Sequence, residues 1–226
     1  LPTWVFSKER RIPGTTAGDY IRQIYRLNRA GKTDTVLAAV GKDSALYETL
    51  WQPLCRAVLN TDASEASAQL MWVVMRETFL KGEEACRPWF FHKGLSAALV
   101  TPAIGFLREN NAEIRLKARL RGLRWADHKI TSLYFPEGML RLQPDDAVVL
   151  AVPPDICNDI WPEAKAPTES RAIVNAHYRM DKPVPLPWDA PFVGLIGGDT
   201  HWIFVRDNIV SLTISAGDTL AEKPNW

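Results

Sequence analysis

The sequence predicts an α+β fold, a helical half packed on a mixed or antiparallel sheet, and three features carry that prediction. Apolar residues recur at helical spacing up to about Asn111. Beyond it, short runs of alternating polarity separated by turn residues take over. One stretch, Asp146–Pro154, is apolar without a break, the pattern of a strand buried on both faces.

The first helix runs from about Gly18 to Ala30, capped by Thr15 or Thr16 and closed by Gly31. Tyr20, Ile21, Ile24 and Leu27 form its apolar side, and Arg22, Arg26 and Arg29 share another face. Such a basic face is either solvated or laid on an anionic membrane surface. A short helix over Asp34–Val40 stops at Gly41. The next covers Ala45–Leu59, with Pro53 forcing a kink or a restart. Asp62 and Glu65 have capping-box spacing and open a helix whose buried side is Leu70, Met71, Val73, Val74 and Phe79, before Gly82. A last helix in this half spans Leu95 to about Asn110.

In the second half, Glu113–Leu116 and Arg119–Trp125 read as short strands, and Lys129–Phe135 with Pro136-Glu137-Gly138 as a hairpin. The apolar run at 146–154 has at most Glu113–Leu116 as a companion, so most of the sheet it calls for is missing. Ala172–Arg179, Val193–Gly197, Trp202–Val205 and Val210–Ser215 then suggest an antiparallel sheet, interrupted by the Pro-rich loop Lys182–Pro191.

Composition narrows the function. A chain of 226 residues, 46% hydrophobic, can bury a core as one large domain or two small ones. A net charge of +1 with scattered Lys and Arg argues against nucleic-acid binding. Cys55, Cys86 and Cys157 form no CxxC pair or disulfide framework, which makes a reducing, cytoplasmic setting the default. The four histidines, His92, His128, His177 and His201, have no metal-ligand spacing. No apolar stretch approaches the roughly 20 residues that span a bilayer. Nine tryptophans provide large apolar surfaces for a core or for the walls of a pocket.

Catalytic motifs are scarce. Gly197-Gly198 is a turn between antiparallel strands and not a phosphate cradle, and neither GxxxxGK[ST] nor GxSxG occurs. On Ala172–Arg179 the alternation sets Asn175, His177 and Arg179 on one side and Val174, Ala176 and Tyr178 on the other. His177 is a candidate general acid, with a solvent-facing histidine as the plainer reading.

The segments Leu50–Leu54 through Asn60-Thr61, Arg76–Phe79, Ala112–Leu116, Asp146–Pro154, Ala172–Arg179, Gly194–Gly198 with Trp202–Phe204, and Val210–Ala216 together carry a resemblance. In order, and across essentially the whole chain, they resemble the squalene-associated flavoproteins of the amine-oxidase superfamily. The resemblance implies an FAD domain interleaved with a substrate domain. It assigns 1–111 to the helical part of the substrate domain, 112–167 to a remnant of the FAD domain, and 168–226 to the substrate-domain sheet. It implies cofactor contacts at Leu120, Ala151 and Val152, and a substrate pocket walled by Trp51, Asn60, Trp72, Tyr178 and Trp202.

The family's glycine-rich FAD fingerprint and its C-terminal flavin segment have no counterpart here. The chain therefore reads as the interior of a larger enzyme, one that would bind FAD very weakly, if at all, on its own. The activity implied for the parent is oxidoreduction of a C30 isoprenoid, conversion of hydroxysqualene to squalene in hopanoid biosynthesis. Desaturation of a related polyene uses the same parts in the opposite redox direction, and the residues do not separate the two. Such a substrate also implies contact with the periphery of the inner membrane. A cofactor-free module that binds apolar ligands or another protein is the alternative from a different class.

Overall fold

The computed structural model describes residues 2–91 and 94–223. In chain order the elements are α1 (Ala17–Asn28), α2 (Val36–Val40), α3 (Gln52–Leu59), α4 (Ala68–Glu77), α5 (Thr101–Glu109), β1 (Gly122–Ala126), β2 (Lys129–Phe135), β3 (Gly138–Arg141), α6 (Pro154–Ile160), β4 (Val174–Arg179), β5 (Phe192–Gly194), β6 (Trp202–Arg206), β7 (Ile209–Ile214) and α7 (Asp218–Ala221). The fold is α+β, as the periodicities predict. The chain divides into two compact units, one formed by 2–90 with 171–223, the other by 91–170. The helical stretch before and through α5 thus groups with the β1–β3 segment and not with the N-terminal helices.

In the first unit, local chemistry sets the helix ends. Thr16 donates from both its N–H and its Oγ1 to Asp19 Oδ2 at 2.8 Å, closing the start of α1. Thr35 Oγ1 accepts from Ala38 N–H at 3.2 Å, and Gly41 ends α2 at φ 80°. Before α3 lies a π-turn, Tyr47–Trp51, in which Gln52 N–H reaches back to the Tyr47 carbonyl. Pro53 explains it: its nitrogen has no hydrogen, and its ring crowds the carbonyl four residues earlier, so the turn widens. The helix expected over 45–59 is therefore continuous, and Pro53 is met by the π-turn and not by a restart.

Three expectations for this unit need correction. Asp62 caps no helix. Its carbonyl accepts from Glu65 N–H (2.9 Å) and Ala66 N–H (2.8 Å) in a turn, and α4 begins at Ala68 with Ser67 as its cap. The Asp62 carboxylate is taken by Gln52 and Arg56 instead, which outcompete a local cap. The buried face of α4 is also rotated: Ala68, Met71 and Met75 are buried, Val74 and Phe79 pack at the margin, and Leu70 and Val73 are exposed. In α1, similarly, Ile21 is half exposed and Gln23 is buried. Gln23 tolerates burial because Trp51 Nε1 donates to its Oε1 at 2.5 Å and its own Nε2 donates to Ser44 Oγ at 2.6 Å.

The core gathers around the fully buried Trp51, with Leu27, Val36, Leu46, Cys55, Met71 and Met75. The unit's sheet has the order β4-β7-β6-β5, all antiparallel. On the solvent side of β4 and β7, Thr213 Oγ1 donates to Asn175 Oδ1 at 2.6 Å, and His177 Nδ1 meets Ser211 Oγ at 2.8 Å.

In the second unit, Pro102 produces the same local event as Pro53, a π-turn over Ser96–Val100 immediately before α5. The strands β1, β2 and β3 form an antiparallel meander. The β1–β2 turn places Asp127 (φ 48°) and His128 (φ 61°) in the left-handed region, the type I′ geometry of a two-residue hairpin. Glu113–Leu116 is not a strand, and Leu116 is 83% exposed. The run at 146–154 is not a buried strand either. It is an extended segment without a ladder, Val149 is 87% exposed, and Pro153-Pro154 turns it into α6. A strand needs a partner for its backbone groups, and no described segment of this unit supplies one.

Candidate functional site

The first unit has a partly open cavity of about 490 Å3 between one face of the α3 segment and the loop joining β5 to β6. Thr49, Gln52, Pro53 and Arg56 fall three or four residues apart and so share that helix face. Opposite them run Gly194–Asp199, His201 and Trp202. Gly194 is required by close approach: a Cβ there would lie 3.0 Å from the Trp202 ring. Gly197, at φ 86°, makes the loop's turn. The Trp202 indole leans on Phe192, which stacks on Phe204 with centroids 5.6 Å apart. Leu195, Ile196, Pro53 and Trp202 thus give the cavity an apolar wall.

Its other end is polar and held by several bonds. Arg56 Nε donates to Asp62 Oδ1 at 2.6 Å, and Gln52 Nε2 donates to the same oxygen at 2.9 Å. Gln52 Oε1 accepts from Ala63 N–H at 2.8 Å, which fixes the amide's orientation. Arg56 Nη1 lies 2.9 Å from His201 Nε2, while His201 Nδ1 receives the Ser215 N–H at 3.0 Å. Burial, and then the neighbouring Arg56 charge, pull the His201 pKa below its ordinary 6.5. His201 is therefore the neutral imidazole at pH 7. A second cavity of about 240 Å3 touches Arg56, Asp62, Asp199 and His201 from the side of Ser215–Gly217.

Of the five pocket residues read from the sequence, Trp202 lines this cavity. Trp51 is inside the core, with its indole N–H committed to Gln23, so it supports the helix from behind. Asn60 is a joint: in left-handed conformation at the end of α3 (φ 49°), it donates from Nδ2 to the Arg171 carbonyl at 2.9 Å and accepts from Ala216 N–H at 2.7 Å. Trp72 packs at the margin of the core, and Tyr178 stands half exposed on β4. His177 is exposed and bonded to Ser211, away from the cavity's lining. The sequence reading missed Gln52, Arg56, Asp62 and His201. Thr49, Gln52, Pro53 and Arg56 do show one-face spacing, which could have flagged the helix side. The pairing of Arg56 with His201 spans 145 positions and has no local signal.

The positions proposed for cofactor contact lie in the second unit. Leu120 is half-buried just before β1, and Ala151 and Val152 sit on the unpaired extended segment. Gly197-Gly198 joins two antiparallel strands and leads into no helix, so it offers no row of N–H groups for a pyrophosphate. The Gly197-Gly198 pair is thus a strand connection. Cys55 is buried and its thiol is pushed up to about 12, which removes it as a nucleophile. No group of three or more metal-ligating side chains occurs among the described residues.

The sequence model for flavin containing amine oxidoreductases matches residues 20–208. The chain belongs to that family. It is 43% identical over 224 residues to a hydroxysqualene dehydroxylase of Sinorhizobium fredii, covering 99% of this chain and 53% of that protein. The hydroxysqualene dehydroxylases of Rhodopseudomonas palustris and Zymomonas mobilis subsp. mobilis are 41% and 32% identical, over 99% and 97% of this chain. The chain spans about half the length of the curated relatives it matches, 53% of the second and 52% of the third. Family membership agrees with the resemblance carried by Leu50–Leu54, Gly194–Gly198 and Trp202–Phe204.

Proposed function

We infer that the first unit supplies the substrate-binding surface of an FAD-dependent oxidoreductase acting on a C30 isoprenoid, with hydroxysqualene, named in its relatives, as the substrate. The observation that carries this reading is the cavity itself: an apolar wall of Pro53, Leu195, Ile196 and Trp202 closing on a polar end at Arg56 and His201. Such a shape suits a long apolar molecule bearing one polar group. In flavin enzymes the cofactor supplies the redox chemistry and the protein supplies binding, orientation and exclusion of water. The residues here fit the second set of tasks.

We further propose that the chain by itself holds FAD weakly or not at all, a reading supported by its one Gly pair, Gly197-Gly198, leading into no helix. A flavin spectrum copurifying with these 226 residues at stoichiometric yield overturns that part. The substrate part is tested by photolabelling with a squalene analogue carrying a diazirine. Adducts at Pro53, Leu195, Ile196 or Trp202 support it, whereas adducts confined to 94–170 reject it. No helix among the described residues is long and apolar enough to cross a membrane. A water-insoluble substrate would be collected at a membrane surface, and Trp89 and Trp188, both highly exposed, are the side chains offered to it.

A further inference from the structure

His201 is offered more hydrogen-bond donors than it can accept. Its Nδ1 faces the Ser215 N–H at 3.0 Å, and its Nε2 faces Arg56 Nη1 at 2.9 Å. A neutral imidazole has one N–H and one lone pair, and a guanidinium has no lone pair to give. Whichever tautomer forms, one of these contacts sets a donor against a donor. Protonating the ring makes both contacts so. The Ser215 N–H belongs to the backbone at the end of β7, where the next residue is tied to Asn60, so it cannot turn away. His201 Nδ1 therefore accepts from Ser215, and Nε2 carries the hydrogen. Arg56 cannot withdraw either, because its Nε is bonded to Asp62. Two donors thus converge at the polar end of the cavity with no acceptor among the described residues.

The acceptor that completes this arrangement is an oxygen that takes one bond from each. Around the cavity one cation, Arg56, stands with two carboxylates, Glu48 and Asp199, and Arg56 is already neutralised by Asp62. The surroundings therefore favour an uncharged oxygen over a carboxylate or phosphate. We propose that Arg56 and His201 form an oxygen subsite that receives the hydroxyl of an isoprenoid alcohol whose chain lies along Trp202, Leu195 and Ile196. This rests on the reading of the cavity as a substrate site and adds to it the residues that recognise the polar group. Both are binding residues; no proton transfer is assigned to them.

The test compares farnesol, the hydrocarbon β-farnesene and farnesoate as probes of the intact 226-residue chain. Farnesol should bind about tenfold or more tightly than farnesene, and more tightly than farnesoate. It alone should shift the His201 Nε2 resonance in nitrogen NMR spectra. Arg56→Met and His201→Phe should each reduce the alcohol's advantage to about twofold or less, with farnesene binding retained as evidence of an intact cavity. His201→Gln, which keeps a donor, should restore part of it. Equal binding of alcohol and hydrocarbon, with His201 unmoved, overturns the oxygen subsite and leaves the apolar cavity standing. Tightest binding of farnesoate replaces it with an anion site. Failure of all three probes to bind overturns the subsite together with the substrate reading on which it rests.

Discussion

The two units of this chain differ most in what they bury. The first has a cluster of buried apolar side chains around Trp51, contributed by α1, α2, α3, α4 and the turns between them. In the second, Ser132 is the one described residue counted as buried, while Leu116, Trp125, Met139, Leu140 and Val149 are exposed or nearly so. Both have regular elements, a Pro-induced π-turn and an antiparallel sheet. What separates them is therefore burial, not local structure. Burial of apolar surface is the dominant favourable contribution to folding, so the first unit carries its own stability and the second carries little.

The largest expected effect follows from that contrast. Trp51→Ala should destabilise the first unit by about 3–5 kcal/mol, by lost transfer energy and the cavity left behind. Val149→Ala should change stability by less than about 0.5 kcal/mol, the ordinary range for an exposed site. Denaturant melts of the two variants check both, and similar losses would remove the distinction between the units.

Next in size is the joint at Asn60. Asn60→Ala removes bonds to the Arg171 carbonyl and the Ala216 N–H and leaves a non-glycine residue at φ 49°, for a loss of about 1–3 kcal/mol. Asn60→Gly relieves the backbone and loses only the bonds, so it should be the milder of the two in the same melts.

Thiol labelling sharpens the comparison without mutation. Cys55 is buried, and its thiol is pushed up to about 12, whereas Cys157 in the second unit is half-buried. In native protein at pH 8 an aromatic disulfide reagent should modify Cys157 and leave Cys55 untouched, with all three cysteines reacting in denaturant.

The smallest effect is electrostatic. His201 has its pKa lowered in the folded chain, so the unfolded chain binds more protons as pH falls through about 6.5, its ordinary value. The contribution to stability is present above that pH and is lost as pH drops below it. An NMR titration should place the His201 midpoint below its ordinary 6.5. A midpoint at or above 6.5 contradicts the buried, Arg56-flanked environment.

Much of this architecture was legible in the sequence because its causes are local. Thr16 as a cap, Gly41 as a stop and the alternation in β4–β7 each act within a few residues, and each appears where the periodicity puts it. What the sequence hid depends on distant partners. Asp62 has the spacing of a cap, but Arg56 and Gln52 claim its carboxylate. Gln23 is buried because Trp51 bonds to it, which rotates the apolar face away from Ile21. The run at 146–154 has the composition of an inner strand, and composition does not reveal whether a neighbouring strand is there to pair with it. In the candidate site, Trp202 was legible as an aromatic in a strand, and the Arg56–His201 contact was not, since it joins a helix to a loop residue 145 positions away.

Hydrogen–deuterium exchange of the intact chain, with and without squalene-chain alcohol in detergent, distinguishes a ligand site in the first unit from one in the second. Slow exchange across α1 and α4 is expected in both states, with new protection on ligand addition at 45–59 and 192–205. Exchange across 94–170 should be fast and independent of ligand. Ligand-induced protection centred on 94–170, with none at 45–59 or 192–205, would contradict a site in the first unit.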